Sequence, residues 1–184
     1  MTTSEELFSI YTQQGEALYF GEAVTVAEHC LQAAHLAQAA NAPESLVIAA
    51  LLHDIGHLIE PAAADIADWH SDAQHELTGS RWLAARFGPA VWQPVRLHVA
   101  AKRYLCATDA AYAGKISAAS LVTLRLQGGP MSGVEAAAFE AEAYHRDAVR
   151  LRLWDDQGKI ADLPTADFGD YCALIDRLSA DRRL

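Results

Sequence analysis

Apolar positions along this chain recur at the three- and four-residue spacing of a helix face, and no run sustains the strict alternation of a strand. Glu5–Gln14 predicts a first helix, and the irregular stretch GEALYFGEA (Gly15–Ala23) follows it. In Thr25–Ala40 the residues Val26, Cys30, Ala33, Ala34 and Ala37 fall at helical spacing, and Thr25 with Glu28 fits a capping box. Pro43 suits the first turn of the next helix, predicted to run to about Ile59, and Pro61–Ser71 reads as an Ala/Asp-rich connection. Further helices are predicted over His75–Phe87, stopped by Gly88, then Pro89–Tyr104 and Ser117–Leu126. QGGPMS (Gln127–Ser132) breaks the chain, and Ser132 with Glu135 forms a second capping signature ahead of a helix from Glu135 to about Trp154. Asp155–Asp167, with Gly158 and Pro164, reads as a loop before a last helix, Phe168–Leu178. The pattern is that of an all-α helical bundle forming a single domain over residues 1–184.

Composition narrows the function. At 184 residues, 52% hydrophobic and 21% charged, the chain is long and apolar enough for its own core. Its net charge of −10 argues against holding nucleic acid through phosphate contacts and against docking on anionic lipid. A small anionic substrate is still compatible, because a few inward Lys and Arg set a local field. Cys30, Cys106 and Cys172 are scattered and form no CxxC, which predicts neither a thiolate metal site nor a disulfide framework and suits a reducing cytoplasm. The opening MTTSEELFSIYTQQGE lacks a basic start followed by an apolar core, and apolar runs such as Val47–Leu52 are far too short to span a bilayer. The expectation is a cytoplasmic protein, monomeric by default, with a small-molecule ligand.

The stretch AALLHDIGHLIE (Ala49–Glu60) carries the strongest chemical signal. A greasy helix there acquires His53, Asp54 and His57. His29, His53, His75 and His98 are separated by 24, 22 and 23 residues, each on a different predicted helix. Helical bundles build metal sites in this way, from side chains on facing helices. Neighbouring residues of a continuous helix point about 100° apart, so His53 and Asp54 would not meet at one point. They suit two metals side by side, with Asp54 as the bridge that relieves the repulsion of cations about 4 Å apart. Imidazole and carboxylate without thiolate favour iron or manganese over structural zinc. His57, one turn after His53, is expected outside the ligand set, either supporting a ligand or facing the substrate. His35, His70 and His145 are expected to be ordinary surface or satisfied histidines. Gly56 is expected to let a neighbour approach closely.

His29…His53-Asp54…Asp155 resembles the H…HD…D signature of the HD-domain superfamily, an all-α metal fold. Further stretches narrow the resemblance: LYFGEAVTVAEHCLQAA (Leu18–Ala34), QHE (Gln74–Glu76), HVAAKRYL (His98–Leu105), LQGGPM (Leu126–Met131) and RLWDDQGK (Arg152–Lys159). Together, over about residues 18–159, they are similar to the phosphonate-cleaving, mixed-valent di-iron oxygenases of that superfamily. Members act on 1-hydroxy-2-aminoethylphosphonate or its trimethylammonio analogue. The resemblance implies one iron on His29, His53 and Asp155, a second on His75 and His98, and Asp54 between them. It implies that Tyr19 covers the second iron until substrate arrives, and that Glu22 moves with it to meet the substrate's cationic nitrogen. Lys102 would read the phosphonate, with His57, Ser120, Gln127 and Arg152 around the anion. The implied cofactors are an Fe(II)/Fe(III) pair with O2 as co-substrate. The implied products are glycine or glycine betaine and phosphate.

Two other functions fit the same fold class. One is a metal-dependent phosphohydrolase acting on a small phosphate ester; Tyr19 and Glu22 argue for the oxygenase instead. The other is a non-catalytic binding domain, which would be expected to have eroded ligands. A trimethylammonium group favours an aromatic cage. Tyr19, Phe20, Tyr104 and Trp154 are the candidates, and Phe20 beside Tyr19 tilts the expectation toward that substrate.

Overall fold

The structure, a computed structural model, describes residues 1–19, 22–60 and 74–181. Within them lie α1 (Thr3–Gln14), α2 (Val26–Ala39), α3 (Glu44–Leu51), α4 (Ile55–Ile59), α5 (His75–Ala84), α6 (Pro89–Thr108), α7 (Ala110–Ala113), α8 (Ala118–Leu126), α9 (Gly133–Glu140), α10 (His145–Gln157) and α11 (Phe168–Asp181). Among the described residues there is no strand, only an isolated bridge between Leu18 and Thr25. The all-α expectation holds. The expected connection Pro61–Ser71 lies outside the described residues, as do Phe20 and His70.

The centre is built where α2, α3, α6 and α10 pack on one another, with α5 laid against α6. Small buried residues line the contacting faces, Ala33, Ala34 and Ala37 on α2 with Ala49 and Ala50 on α3. Their short side chains let the backbones approach, so polar groups on these helices sit deep in the bundle. Both capping boxes read from sequence form, at Thr25/Glu28 and Ser132/Glu135. A third, Thr2 with Glu5, starts α1.

Several helix boundaries differ from the sequence expectation, and two of the differences shape the site. The helix predicted from Pro43 to Ile59 is two helices, interrupted at Leu52–Asp54. Leu52 (φ −112°, ψ 10°) and Asp54 (φ −100°, ψ 13°) lie in the sparsely populated bridge region. Such a break orphans carbonyls, and side chains take them up. The Tyr11 hydroxyl donates to Leu51 O at 2.6 Å, and His53 Nδ1 binds Ala50 O at 2.8 Å. The predicted helix Glu135–Trp154 is likewise divided, into α9 and α10, by the turn at 141–144. Finally, α10 continues to Gln157, so Asp155 is helical and not part of a loop.

The termini brace this centre. Asp176 on α11 accepts from the Ser4 backbone N–H at 2.9 Å and from its hydroxyl at 2.7 Å. Thr3 and Ser179 hydroxyls bond at 2.8 Å. The Tyr11 ring packs on Phe168, 4.8 Å between centroids.

Gly56 does what its position suggested. A Cβ there would sit 2.0 Å from His75 O and 3.1 Å from Gly79 N. The backbones of α4 and α5 therefore touch, and this contact places His75 opposite Asp54.

Two stability predictions follow from these contacts. Gly56→Ala forces backbone against backbone and is expected to cost about 2 kcal/mol or more, seen as a fall of several degrees in Tm. Tyr11→Phe removes a buried donor from the Leu51 carbonyl and is expected to cost about 1–3 kcal/mol in urea unfolding. Wild-type midpoints would refute either account.

Candidate metal centre

His29 comes from α2, His53 and Asp54 from the interruption between α3 and α4, and Asp155 from α10. All four are buried. His29 Nδ1 lies 2.8 Å from Gly158 O, and His53 Nδ1 lies 2.8 Å from Ala50 O. A carbonyl oxygen only accepts, so each Nδ1 carries the ring hydrogen and each Nε2 presents a lone pair in the neutral ring. Those two Nε2 atoms face each other at 3.1 Å. Burial pushes the His53 pKa down, which disfavours filling the gap with a proton.

Two carboxylate oxygens point at the same spot. Asp54 Oδ2 lies 3.7 Å from His29 Nε2 and 3.5 Å from His53 Nε2. Asp155 Oδ1 lies 3.3 and 3.9 Å from the same atoms. Both oxygens are buried and accept no hydrogen bond. Burial alone would raise these carboxyls. For Asp54 the neighbouring imidazoles outweigh burial, and for Asp155 the Arg152 guanidinium does, so both are held well below the usual carboxylate range.

The other oxygen of Asp54 faces a second pair. Asp54 Oδ1 is 3.4 Å from His75 Nε2 and 3.8 Å from His98 Nε2, and those two nitrogens are 3.1 Å apart. His98 Nδ1 binds Val95 O at 2.7 Å, so its lone pair also points inward. Burial lowers the His98 pKa to about 3. Converging lone pairs and unpartnered anionic oxygens repel unless cations lie among them. The donor set, imidazole and carboxylate without thiolate, fits two cations that share Asp54.

On a continuous helix His53 and Asp54 would diverge. The helix interruption corrects that expectation: His53 Nε2 and Asp54 Oδ2 are 3.5 Å apart and reach one common position.

A single cavity opens over the Asp54, His75 and His98 side of this centre. Tyr19, His57, Lys102, Ser120, Gln127, Arg152 and Asp155 also line it. The His57 ring stacks on His75, 4.0 Å between centroids. The Tyr19 ring stacks on His29 at 3.9 Å. The Tyr19 N–H donates to Val24 O, and the Glu22 N–H donates to Tyr19 O. Burial and the nearby Asp54 and Asp155 keep its phenol protonated.

Lys102 is 2% exposed, which is rare for lysine. Its Nζ donates to Thr123 Oγ1 at 2.7 Å. Burial, reinforced by the Arg152 charge, lowers its pKa to about 7. The Gln127 Oε1 is buried and accepts no hydrogen bond. Arg152 faces the cavity but is largely committed: it binds Asp155, Asp156, Tyr112 and Ser120.

The candidate site residues read from sequence thus lie at the centre or line its cavity, except Glu22, which pairs with the cavity-lining Lys159. Of the expected aromatic cage, Tyr19 lines the cavity, Phe20 lies outside the described residues, and Tyr104 and Trp154 stand elsewhere. Tyr104 is half-buried, bonds Glu140 and packs on Phe139. Trp154 sits in the main core. Sequence reading missed Lys159, which lines the cavity and pairs with Glu22 at 3.4 Å. Thr123 and Tyr112 carry no spacing signal, and Asp156 stands inside RLWDDQGK without a role that its spacing would assign.

Comparison with known proteins adds the following. A family model described as "HD domain" matches residues 26–152. A [1-hydroxy-2-(trimethylamino)ethyl]phosphonate dioxygenase (glycine-betaine-forming) of Leisingera caerulea is 40% identical over 174 residues, covering 95% of this chain and 89% of the relative. A hydroxymethylphosphonate dioxygenase of Gimesia maris is 44% identical over 170 residues, covering 90% and 82%. An uncharacterized protein of Acanthamoeba polyphaga mimivirus is 35% identical over 156 residues, covering 84% and 71%.

The burial of Lys102 has a measurable cost. Its folded pKa lies below the unfolded value of about 10.4, so the charged form destabilises the fold and the penalty is full below pH about 7. In metal-free protein, Lys102→Met is expected to stabilise relative to wild type most below that pH. The gain should fade as pH rises toward 10. A gain that grows with pH would refute the assignment.

Proposed function

The chain belongs to the HD-domain family, and from that premise we propose that it is a di-iron, O2-dependent oxygenase that cleaves the carbon–phosphorus bond of a small 1-hydroxyphosphonate. The observation that carries this reading is the pair of inward-facing imidazole sets divided by Asp54, with a buried lysine across the adjoining cavity. The names of the two phosphonate dioxygenases support the chemistry.

In this reading His29, His53 and Asp155 would hold one iron and His75 and His98 the other, with Asp54 serving both. When bound, the iron pair supplies redox capacity, a template for the substrate oxygens and a sink for negative charge. This chain's residues do the rest. Lys102 neutralises and orients the phosphonate through charge-assisted hydrogen bonds, taking up a proton if it begins neutral. Ser120 and Gln127 supply directional polar contacts, and His57 sits beside them against His75. Arg152 adds positive field more than free donors, since most of its N–H groups are taken. Tyr19 covers the centre from the side of His29. Glu22 meets the far end of the substrate after leaving Lys159.

The overall change is balanced by a single O2. The C1–H and C–P bonds break, C1 becomes a carboxylate, and phosphate and one proton are released. A substrate with a trimethylammonio group would give glycine betaine. The expected setting is cytoplasmic phosphonate degradation by a single-domain protein.

Iron-loaded protein given each hydroxyphosphonate is expected to release phosphate only with O2, one equivalent consumed per phosphate formed. Release that persists without O2 would instead favour a phosphohydrolase. Lys102→Met should lower kcat/KM by about 10²-fold while retaining bound metal. A near-normal kcat/KM would remove Lys102 from the phosphonate site.

A further inference from the structure

Arg152 lies between two carboxylates of its own helix. Its Nη1 donates to Asp155 Oδ2 at 2.7 Å. Its other edge forms a two-pronged pair with Asp156: Nε donates to Oδ2 at 3.0 Å and Nη2 to Oδ1. Tyr112, on α7, completes the arrangement. Its hydroxyl donates to Asp156 Oδ2 at 2.6 Å and accepts from Arg152 Nε at 3.1 Å. Nη2 also reaches Ser120 Oγ at 3.3 Å.

The division of these bonds matters. A guanidinium prefers to bind a carboxylate by two parallel hydrogen bonds. Here Asp156 receives that fork and Asp155 receives a single bond, through Oδ2. The remaining oxygen of Asp155, Oδ1, accepts no hydrogen bond and lies 3.3 Å from His29 Nε2. Were the fork to turn onto Asp155, both of its oxygens would be engaged and Oδ1 would be drawn from the centre.

We propose that Asp156 and Tyr112 are positioning residues: they hold the Arg152 fork away from Asp155 and so keep Asp155 Oδ1 aimed at the metal position shared with His29 and His53. The proposal rests on the assignment of Asp155 as a metal ligand. Neither Asp156 nor Tyr112 touches that position directly. Their effect is selective, because Asp54 Oδ1, His75 and His98 make no bond to this network among the described residues.

The test is a Co(II) titration of the full chain, followed by the visible absorption of the bound ion, with no substrate present. Wild type is expected to take two Co(II) per chain. Asp156→Asn should weaken one of the two by about 10–100-fold, alter its absorption band, and leave the other unchanged. Tyr112→Phe should act on the same ion in the same direction, more weakly. Asp147→Asn, a change to a half-buried acid of the same helix that pairs with Arg150 outside this network, should match wild type. The proposal is overturned if Asp156→Asn titrates like wild type, or if both ions weaken together with a lowered Tm, which would leave only a folding role. Wild type that takes fewer than two ions would instead sink the dinuclear reading itself. Because no phosphonate is used, an error in the substrate assignment leaves this result intact.

Discussion

Four imidazole nitrogens facing one buried aspartate are the constraint around which this molecule is arranged. Asp54 lies between two histidine pairs, its two oxygens divided between them, and each pair brings its Nε2 atoms to 3.1 Å. In the His29–His53 pair the facing lone pairs are unfavourable in a low-dielectric interior, and so are bare carboxylate oxygens. The rest of the fold supplies the rigidity that keeps them there. Carbonyls of Gly158, Ala50 and Val95 fix three of the rings by their far nitrogens, each from a different part of the chain. Metal affinity in such a centre is also folding free energy, because the arrangement cannot exist in the unfolded chain.

In a protein of net charge −10, two buried basic side chains line the cavity beside this centre. Surface acids are screened and distant, whereas Lys102 and Arg152 are buried and act through little water. The two cations have different duties. Lys102 makes a neutral hydrogen bond to Thr123 and retains donors for a ligand. Arg152 is spent chiefly on Asp155 and Asp156. The two differ in how many donors their surroundings leave available.

Much of the centre was legible in the sequence because residue types and spacing carry it. His29, His53, His75 and His98 stand on separate helices at near-constant intervals, and Asp54 adjoins one of them. The helical class followed from period and caps. What the chain pattern could not show were features made by distant partners. The interruption at Leu52–Asp54 has no proline to announce it, and its orphaned Leu51 carbonyl is satisfied by a tyrosine forty residues earlier. Gly158 and Pro164 marked a loop correctly, but its start was placed too early, since α10 runs on through Asp155 to Gln157. Tyr104 and Trp154 looked available for a cage only because sequence does not say which way a helical aromatic faces. The Glu22–Lys159 pair joins residues from opposite ends of the motif-bearing stretch, which spacing alone does not connect.

The first helix carries none of the chemistry, yet it is tied to the last by Asp176 and Phe168 and touches the metal-bearing segment at Leu51. The two terminal helices therefore work as a clamp, closed at the outside and bearing inward on one peptide group. Trimming the molecule to its motif-bearing stretch would spare every ligand and remove the clamp, leaving the kink that aims His53 and Asp54 free to straighten into ordinary helix.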